Sequence, residues 1–168
     1  MRGKKKSNAS SLKEVNKKIQ ELWGEGWRLY DIECTKLAHR IDDLEIEARK
    51  LDDNARKLWN EDNDKEGGKK LWNEAGKLHD EAKKLEQKAD ILESMGVELI
   101  GKGNRILRDF IDKNYEKKVK IYHENGRIIL SNGIILYNDG RVYEPLDVVM
   151  RKIIKEHEEE ESEKAKKS

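Results

Sequence analysis

The chain has 168 residues, of which 42% are charged and 35% are apolar, with a single proline and a single cysteine. This length suffices for one ordinary domain, or for an elongated domain with a small globular end. A composition this rich in charge is typical of exposed, elongated helices, and the abundance of Lys and Glu is also typical of heat-adapted proteins. The formal net charge of +1 indicates no general attraction to nucleic acid or to acidic membranes.

The N-terminal segment is basic and contains no apolar run. We expect residues 1–11 to form a disordered arm, in which Arg2, Lys4, Lys5 and Lys6 are weak candidates for contacts with nucleic-acid phosphates. No segment of the chain is apolar over a length that could span a bilayer. Since the only cysteine also favours a reducing compartment, we expect a cytoplasmic protein with no membrane partner.

Two heptad stripes dominate residues 12–113. Leucines recur every seven residues between positions 37 and 58, and again between positions 71 and 92, with alanine or isoleucine at the intervening seam positions. Matched stripes on both sides of a short loop predict an antiparallel coiled-coil hairpin, because a short connection forces neighbouring helices to run in opposite directions. The tip of this hairpin is expected at 61–69.

The register of the hairpin follows from placing large seam residues opposite small ones. The preferred register pairs residues whose numbers total 133, which places Cys34 opposite Leu99 and Trp23 opposite Phe110. On this alignment Cys34 is a core residue and not a nucleophile.

From residue 119 the apolar period changes to two. Asn-Gly or Asp-Gly pairs recur every seven residues, at 125–126, 132–133 and 139–140, and such pairs favour two-residue hairpin turns. The segment 119–156 is therefore predicted to be a four-stranded antiparallel β-meander followed by a C-terminal helix that covers one face of the sheet. The predicted buried face consists of Val119, Ile121, Ile128, Leu130, Ile135, Tyr137 and Val142.

The remaining residues, 157–168, are almost entirely charged and are predicted to be a disordered tail. Together these elements predict an α+β protein: a long antiparallel helical hairpin, a small meander and a C-terminal helix.

The tip contains candidate cation ligands. Asp62, Asp64 and Glu66 take the first, third and fifth positions of an EF-hand-like loop, with Gly67 at the sixth. At the twelfth position, however, Asn73 replaces the bidentate glutamate that such a loop requires. A plain acidic turn is therefore the preferred interpretation, and we expect no cofactor.

Two tryptophans flank the same loop. Trp59 and Trp72 each follow a seam leucine, so they should lie close together on one flank of the hairpin. Two interpretations remain open: the side chains bury each other as a structural cap, or they form a partner-binding surface with the neighbouring carboxylates. The predicted partner-binding residues are Trp59, Trp72, Glu61, Asp62, Asp64 and Glu66.

The predicted architecture resembles that of Gre-type transcript-cleavage factors, which join a helical hairpin with an acidic tip to a C-terminal β-rich domain. The resemblance is one of shape, since the chain carries no sequence motif of that family. It implies a hairpin tip that enters RNA polymerase, where Asp62 and Asp64 would help to hold a magnesium ion.

The four histidines and the cysteine form no constellation with catalytic spacing. We therefore expect a non-enzymatic protein that uses the hairpin to bind another protein or to form a homo-oligomer. The first alternative is a modulator of a nucleic-acid machine, such as RNA polymerase or the ribosome, that inserts the hairpin tip. The second is a weak calcium-binding helix–loop–helix. No small-molecule substrate is evident.

Overall fold

The computed structural model describes residues 8–116 and 118–167, with side chains from residue 12 onward. Residues 1–7, and with them Arg2, Lys4, Lys5 and Lys6, lie outside the described part of the chain. The remainder of the segment predicted to be a disordered arm is already helical, since the first helix begins at Asn8.

Helices make up most of the chain. Helix α1 spans Asn8–Trp27, a π-helical segment spans Arg28–Glu33, and α2 spans Cys34–Asn60. A four-residue loop, 61–64, leads to α3, which spans Lys65–Asn114. The helical path continues through every glycine of the segments 8–60 and 65–114.

The chain forms two compact units. Unit 1 comprises Met1–Leu22 and Lys102–Ser168, and unit 2 comprises Trp23–Gly101. Unit 2 is the antiparallel helical hairpin, and unit 1 contains the sheet and the C-terminal helix. The predicted α+β architecture of long helices, a four-stranded antiparallel sheet and a C-terminal helix is confirmed. Among the described residues, no helix is both long enough and apolar enough to cross a membrane.

The hairpin register differs from the predicted one. Trp23 Nε1 donates a hydrogen bond to the carbonyl oxygen of Ile100 at 3.1 Å, and Cys34 Sγ donates to that of Ala89 at 3.5 Å. The residue numbers of each pair total 123, whereas the predicted register required 133. The predicted contacts of Trp23 with Phe110 and of Cys34 with Leu99 are therefore wrong.

The shift arises from the length of the loop. We expected a tip of nine residues, but α3 already begins at Lys65, so the helices are joined by only four. Sliding the helices by one heptad still places large residues opposite small ones, because both stripes repeat every seven residues. Leu44 and Ala82, whose numbers total 126, accordingly share a buried cluster.

The sheet has four antiparallel strands in chain order. Strand β1 is Ile121–Glu124, β2 is Arg127–Leu130, β3 is Ile135–Tyr137 and β4 is Val142–Tyr143. The first turn has two residues, as predicted, with Asn125 at φ 50° and Gly126 at φ 71°.

The second and third turns have three residues each. In the second, the amide of Leu130 donates to the carbonyl oxygen of Ile134 at 2.8 Å, which leaves residues 131–133 in the loop. Gly133 has a φ of 93°, typical of the left-handed residue that closes a three-residue hairpin loop. The third turn repeats this pattern at 138–140, with Gly140 at φ 92°.

One additional turn residue exchanges the two faces of the next strand. Leu136 lies opposite Ile128 and is fully buried, whereas Ile135 and Tyr137, which we predicted to be buried, face the other side. The third turn shifts the pairing by one residue again. Val142 therefore returns to the predicted face, opposite Leu136.

The core of unit 1 contains side chains from α1, α3 and the sheet. Its fully buried members are Leu12, Asn16, Ile19, Leu107, Ile111, Ile128, Leu130, Ile134 and Leu136. Asn16 is the only polar side chain in this set: its Nδ2 donates to the carbonyl oxygens of Tyr137 at 3.0 Å and Arg141 at 3.1 Å. The amide thereby links α1 to the loop between β3 and β4.

The C-terminal helix α4 spans Leu146–Lys167, and among its described residues only Val148 is buried. It therefore does not cover a sheet face, contrary to our expectation. The structure also has helix over 157–167, where we predicted a disordered tail. His157 and Glu161 form an i,i+4 pair at 3.3 Å, and lysines follow the acidic run in the last turn, an order that the helix dipole favours.

Candidate functional site

The tip of the hairpin is a tight, capped turn. The amide of Asp64 donates to the carbonyl oxygen of Leu58 at 2.8 Å, while Asn63 adopts a φ of 51°. Asp64 Oδ1 then accepts a hydrogen bond from the amide of Gly67 at 2.9 Å. Asp64 is thus the N-cap of α3, since a carboxylate at this position satisfies an amide that has no partner within the helix.

This cap is inconsistent with an EF-hand. Residues 65–73, which would supply most of the twelve positions starting at Asp62, lie within α3. One oxygen of Asp64 is already committed to the helix N-terminus. In the described ranges, no group of three or more His, Cys, Asp or Glu side chains is arranged to hold a metal ion.

The two tip tryptophans are in contact. The ring centroids of Trp59 and Trp72 are 5.4 Å apart with an interplanar angle of 47°, and both side chains are half-buried. Lys65 Nζ lies 5.4 Å from the centroid of the Trp59 ring. A Cβ at Gly68 would lie 3.0 Å from the carbonyl oxygen of Ala55, so the absence of a side chain lets α3 approach α2 beside this pair. The rings partly bury each other and still present an edge to solvent.

The other tip carboxylates remain on the surface. Glu61, Asp62 and Glu66 are exposed, and within the described residues none of their side chains forms an ion pair. The structure thus places two of the six predicted partner-binding residues in an aromatic pair and one in a helix cap. Three lie free at the end of the hairpin.

Sequence reasoning did not anticipate how many large apolar side chains unit 2 leaves exposed. Trp27 and Tyr30 contact each other edge to face at 5.7 Å, yet are 55% and 40% exposed. Others in the same unit are Ile32, Ile46, Ile91, Met95 and Val97. Their positions away from the leucine seam were the available signal, because seam positions alone cover the helix interface.

Cys34 lies in the hairpin interior. Burial raises the pKa of its thiol, and the carboxylates of Glu93, Asp90 and Glu33 raise it further. The thiol donates to a backbone carbonyl, a contact that the thiolate would lose. Both effects oppose ionisation.

We therefore expect Cys34 to react with a thiol reagent at pH 8 at least about tenfold more slowly than the same thiol in urea-unfolded chain, since the thiolate is the reactive form. Stopped-flow absorbance with a chromogenic disulfide measures this rate. Equal rates for folded and unfolded chain would contradict the assignment.

A shallow cavity in unit 1 borders α4 beside a buried ion pair. Lys152 Nζ lies 3.1 Å from Glu144 Oε2 and donates to the hydroxyl oxygen of Tyr115 at 2.5 Å. Burial is the main cause of a raised pKa at Tyr115. Since each polar group has a partner, this network serves to attach α4 to the unit.

Comparison with protein-family models, with curated proteins and with solved structures finds no match for this chain.

Proposed function

We propose that this chain is a non-enzymatic protein–protein interaction protein, in which the end of the helical hairpin contacts another protein or a second copy of the chain. The observation that carries the proposal is the paired, half-buried Trp59 and Trp72 beside three exposed carboxylates. Tryptophans that remain accessible within a well-packed surface are the residue type most enriched at energetic centres of protein interfaces.

The exposed apolar side chains of unit 2 support an assembly role. Ile91 is 61% exposed, and Trp27 and Val97 are each 55% exposed. Single exposed apolar residues are ordinary on protein surfaces, but several on one helical pair are typical of an interaction surface.

Insertion of the tip into a nucleic-acid machine receives less support. That mechanism requires Asp62 and Asp64 to hold a cation together. Asp64 instead caps α3, and the conformation of residues 61–64 depends on that cap.

The proposal is tested by photo-crosslinking from Asn60, an exposed position next to Trp59, after its replacement by benzoyl-phenylalanine. The captured protein is identified by mass spectrometry, purified, and its crosslinking repeated with variants. We expect the double change Glu61→Lys with Asp62→Lys to lower the crosslink yield at least about fivefold, because it reverses the charge of the contact surface.

The matched control is Asp42→Lys with Asp43→Lys, which reverses two exposed charges of the same helix away from the tip. This variant should crosslink like the unaltered chain. Crosslinks that form only within one chain, or an equal loss in both double variants, would contradict the proposed tip contact.

A further inference from the structure

The outer face of the sheet in unit 1 carries an uncovered row of apolar and aromatic side chains. Tyr122 lies opposite Ile129, Ile129 opposite Ile135, and Ile135 opposite Tyr143, so the row crosses all four strands. Tyr122 and Tyr143, at its two ends, are each 52% exposed, and the isoleucines between them are half-buried. At about 4.8 Å between neighbouring strands, the row is about 14 Å long.

Cations lie on both sides of this row. Arg127 pairs with Tyr137 in the adjacent row, and the guanidinium of Arg141 lies 5.0 Å from the centroid of the Tyr137 ring. On the other side, Lys120 precedes Tyr122 by two residues and is exposed. The acidic side chain on this face is Glu124, the cross-strand partner of Arg127.

The charge of the chain is divided between the two units. Unit 1 contains 22 Lys and Arg against 15 Asp and Glu, a net charge of +7, whereas unit 2 contains 14 against 20, a net charge of −6. Six of the 15 acidic residues of unit 1 lie between 156 and 163, in the exposed second half of α4. The near-neutral total therefore conceals a basic unit around the sheet.

We propose that this outer face binds single-stranded RNA, with unstacked bases on the tyrosine–isoleucine row and phosphates on Arg127, Arg141 and Lys120. Aromatic side chains on a four-stranded sheet can stack two or three bases, and the row has that length. The surrounding cations supply the phosphate contacts on which affinity for nucleic acid largely depends. RNA fits better than DNA because its loops and ends expose unstacked bases, whereas duplex DNA does not.

The test uses the full chain and a fluorescently labelled oligoribonucleotide of mixed sequence, about twelve nucleotides long, in anisotropy titrations at about 50 mM salt. We expect Tyr122→Thr with Tyr143→Thr to weaken binding at least about tenfold, because both stacking surfaces are lost. The matched change Tyr122→Phe with Tyr143→Phe keeps the rings and should stay within about twofold. Threonine is chosen because it favours strands and replaces exposed side chains.

The charge contribution is tested separately. Arg127→Gln with Arg141→Gln should reduce the slope of log affinity against log salt by about two, since each lost phosphate contact removes about one released counterion. The control, Lys77→Gln with Lys83→Gln, removes two exposed cations from unit 2 and should leave binding to the sheet unchanged. As a second readout, NMR amide signals of Ile129 and Ile135 should shift when RNA is added.

Several outcomes would overturn the inference. These are absence of binding at about 50 mM salt, equal affinity of the threonine and phenylalanine variants, and RNA-induced shifts that avoid β2 and β3. Equal affinity for a DNA strand of the same sequence would overturn the assignment to RNA. Displacement of the RNA by an equimolar glutamate-rich peptide would identify an acidic protein as the ligand instead.

Discussion

Replacing Gly96 by alanine should lower the free energy of unfolding of the hairpin by about 1 to 3 kcal/mol, whereas the same change at Gly76 should raise it by about 0.5 to 1 kcal/mol. A Cβ at Gly96 would lie 2.6 Å from the carbonyl oxygen of Gly26 and 3.0 Å from the amide nitrogen of Tyr30. Both atoms belong to the backbone of the opposing helical segment, so the helices must separate to admit a methyl group. At Gly76 no atom lies within 4 Å, and alanine only improves helix propensity.

A second matched pair tests the same crossing from the other helix. A Cβ at Gly26 would lie 2.7 Å from Ile100 Cγ1 and 2.8 Å from the carbonyl oxygen of Gly96, whereas Gly24 has no neighbour within 4 Å. Gly26→Ala should therefore destabilise the hairpin and Gly24→Ala should stabilise it. All four tryptophans lie in unit 2, so urea unfolding followed by tryptophan fluorescence reports this unit. Equal stabilities within either pair would show that the helices do not cross this closely.

The hairpin was predictable from sequence because its signal is repeated many times. Its register was not, because a seven-residue repeat is equally satisfied after a slide of seven residues. What selects the observed alignment is local: Asp64 caps α3 and thereby shortens the loop to four residues. A cap of this kind looks like any other acidic residue in a sequence rich in acids.

The sheet shows the same limit. The number and order of the strands followed from the Asn-Gly and Asp-Gly pairs, but glycine can serve either a two-residue turn or a three-residue loop. Gly126 does the first and Gly133 the second. A single residue of difference moved Leu136 to the core and Tyr137 out of it, so the outer face could not be assigned from the sequence pattern.

The candidate site was predictable only in part. That Trp59 and Trp72 would lie together followed from their equal heptad positions, which survive a slide of a whole heptad. Which tip carboxylates stay free did not follow, because that depends on backbone hydrogen bonds at the cap. The division of charge between the units also required their boundaries.

Replacing Asn16 by aspartate should destabilise unit 1 by about 3 kcal/mol or more at pH 7. The Asn16 side chain is fully buried, and its Nδ2 donates to two carbonyl oxygens, those of Tyr137 and Arg141. Aspartate has nearly the same shape, but replaces the double donor by an oxygen that faces two acceptors. The variant thus combines a buried charge with two lost hydrogen bonds.

The effect should depend on pH with a defined sign. Burial and the facing carbonyl oxygens disfavour the charged form, so the introduced carboxyl group should have a raised pKa in the folded chain. A raised pKa means that the protonated form is tolerated, and it can still donate one hydrogen bond. The destabilisation relative to the unaltered chain should be smallest near pH 4, the ordinary range of an unfolded carboxyl, and should grow as pH rises through the folded pKa.

Near-UV circular dichroism measures this transition, because four of the five tyrosines lie in unit 1. The control is Asn104→Asp, which makes the same chemical change at an exposed position of α3 in the same unit. It should alter stability by less than about 0.5 kcal/mol at any pH in this range. Asn16→Leu removes the donors without adding charge and should cost about 1 to 3 kcal/mol independently of pH. An aspartate variant that matches the leucine variant at every pH would show that Asn16 is hydrated, and that the amide does not anchor α1 to the sheet.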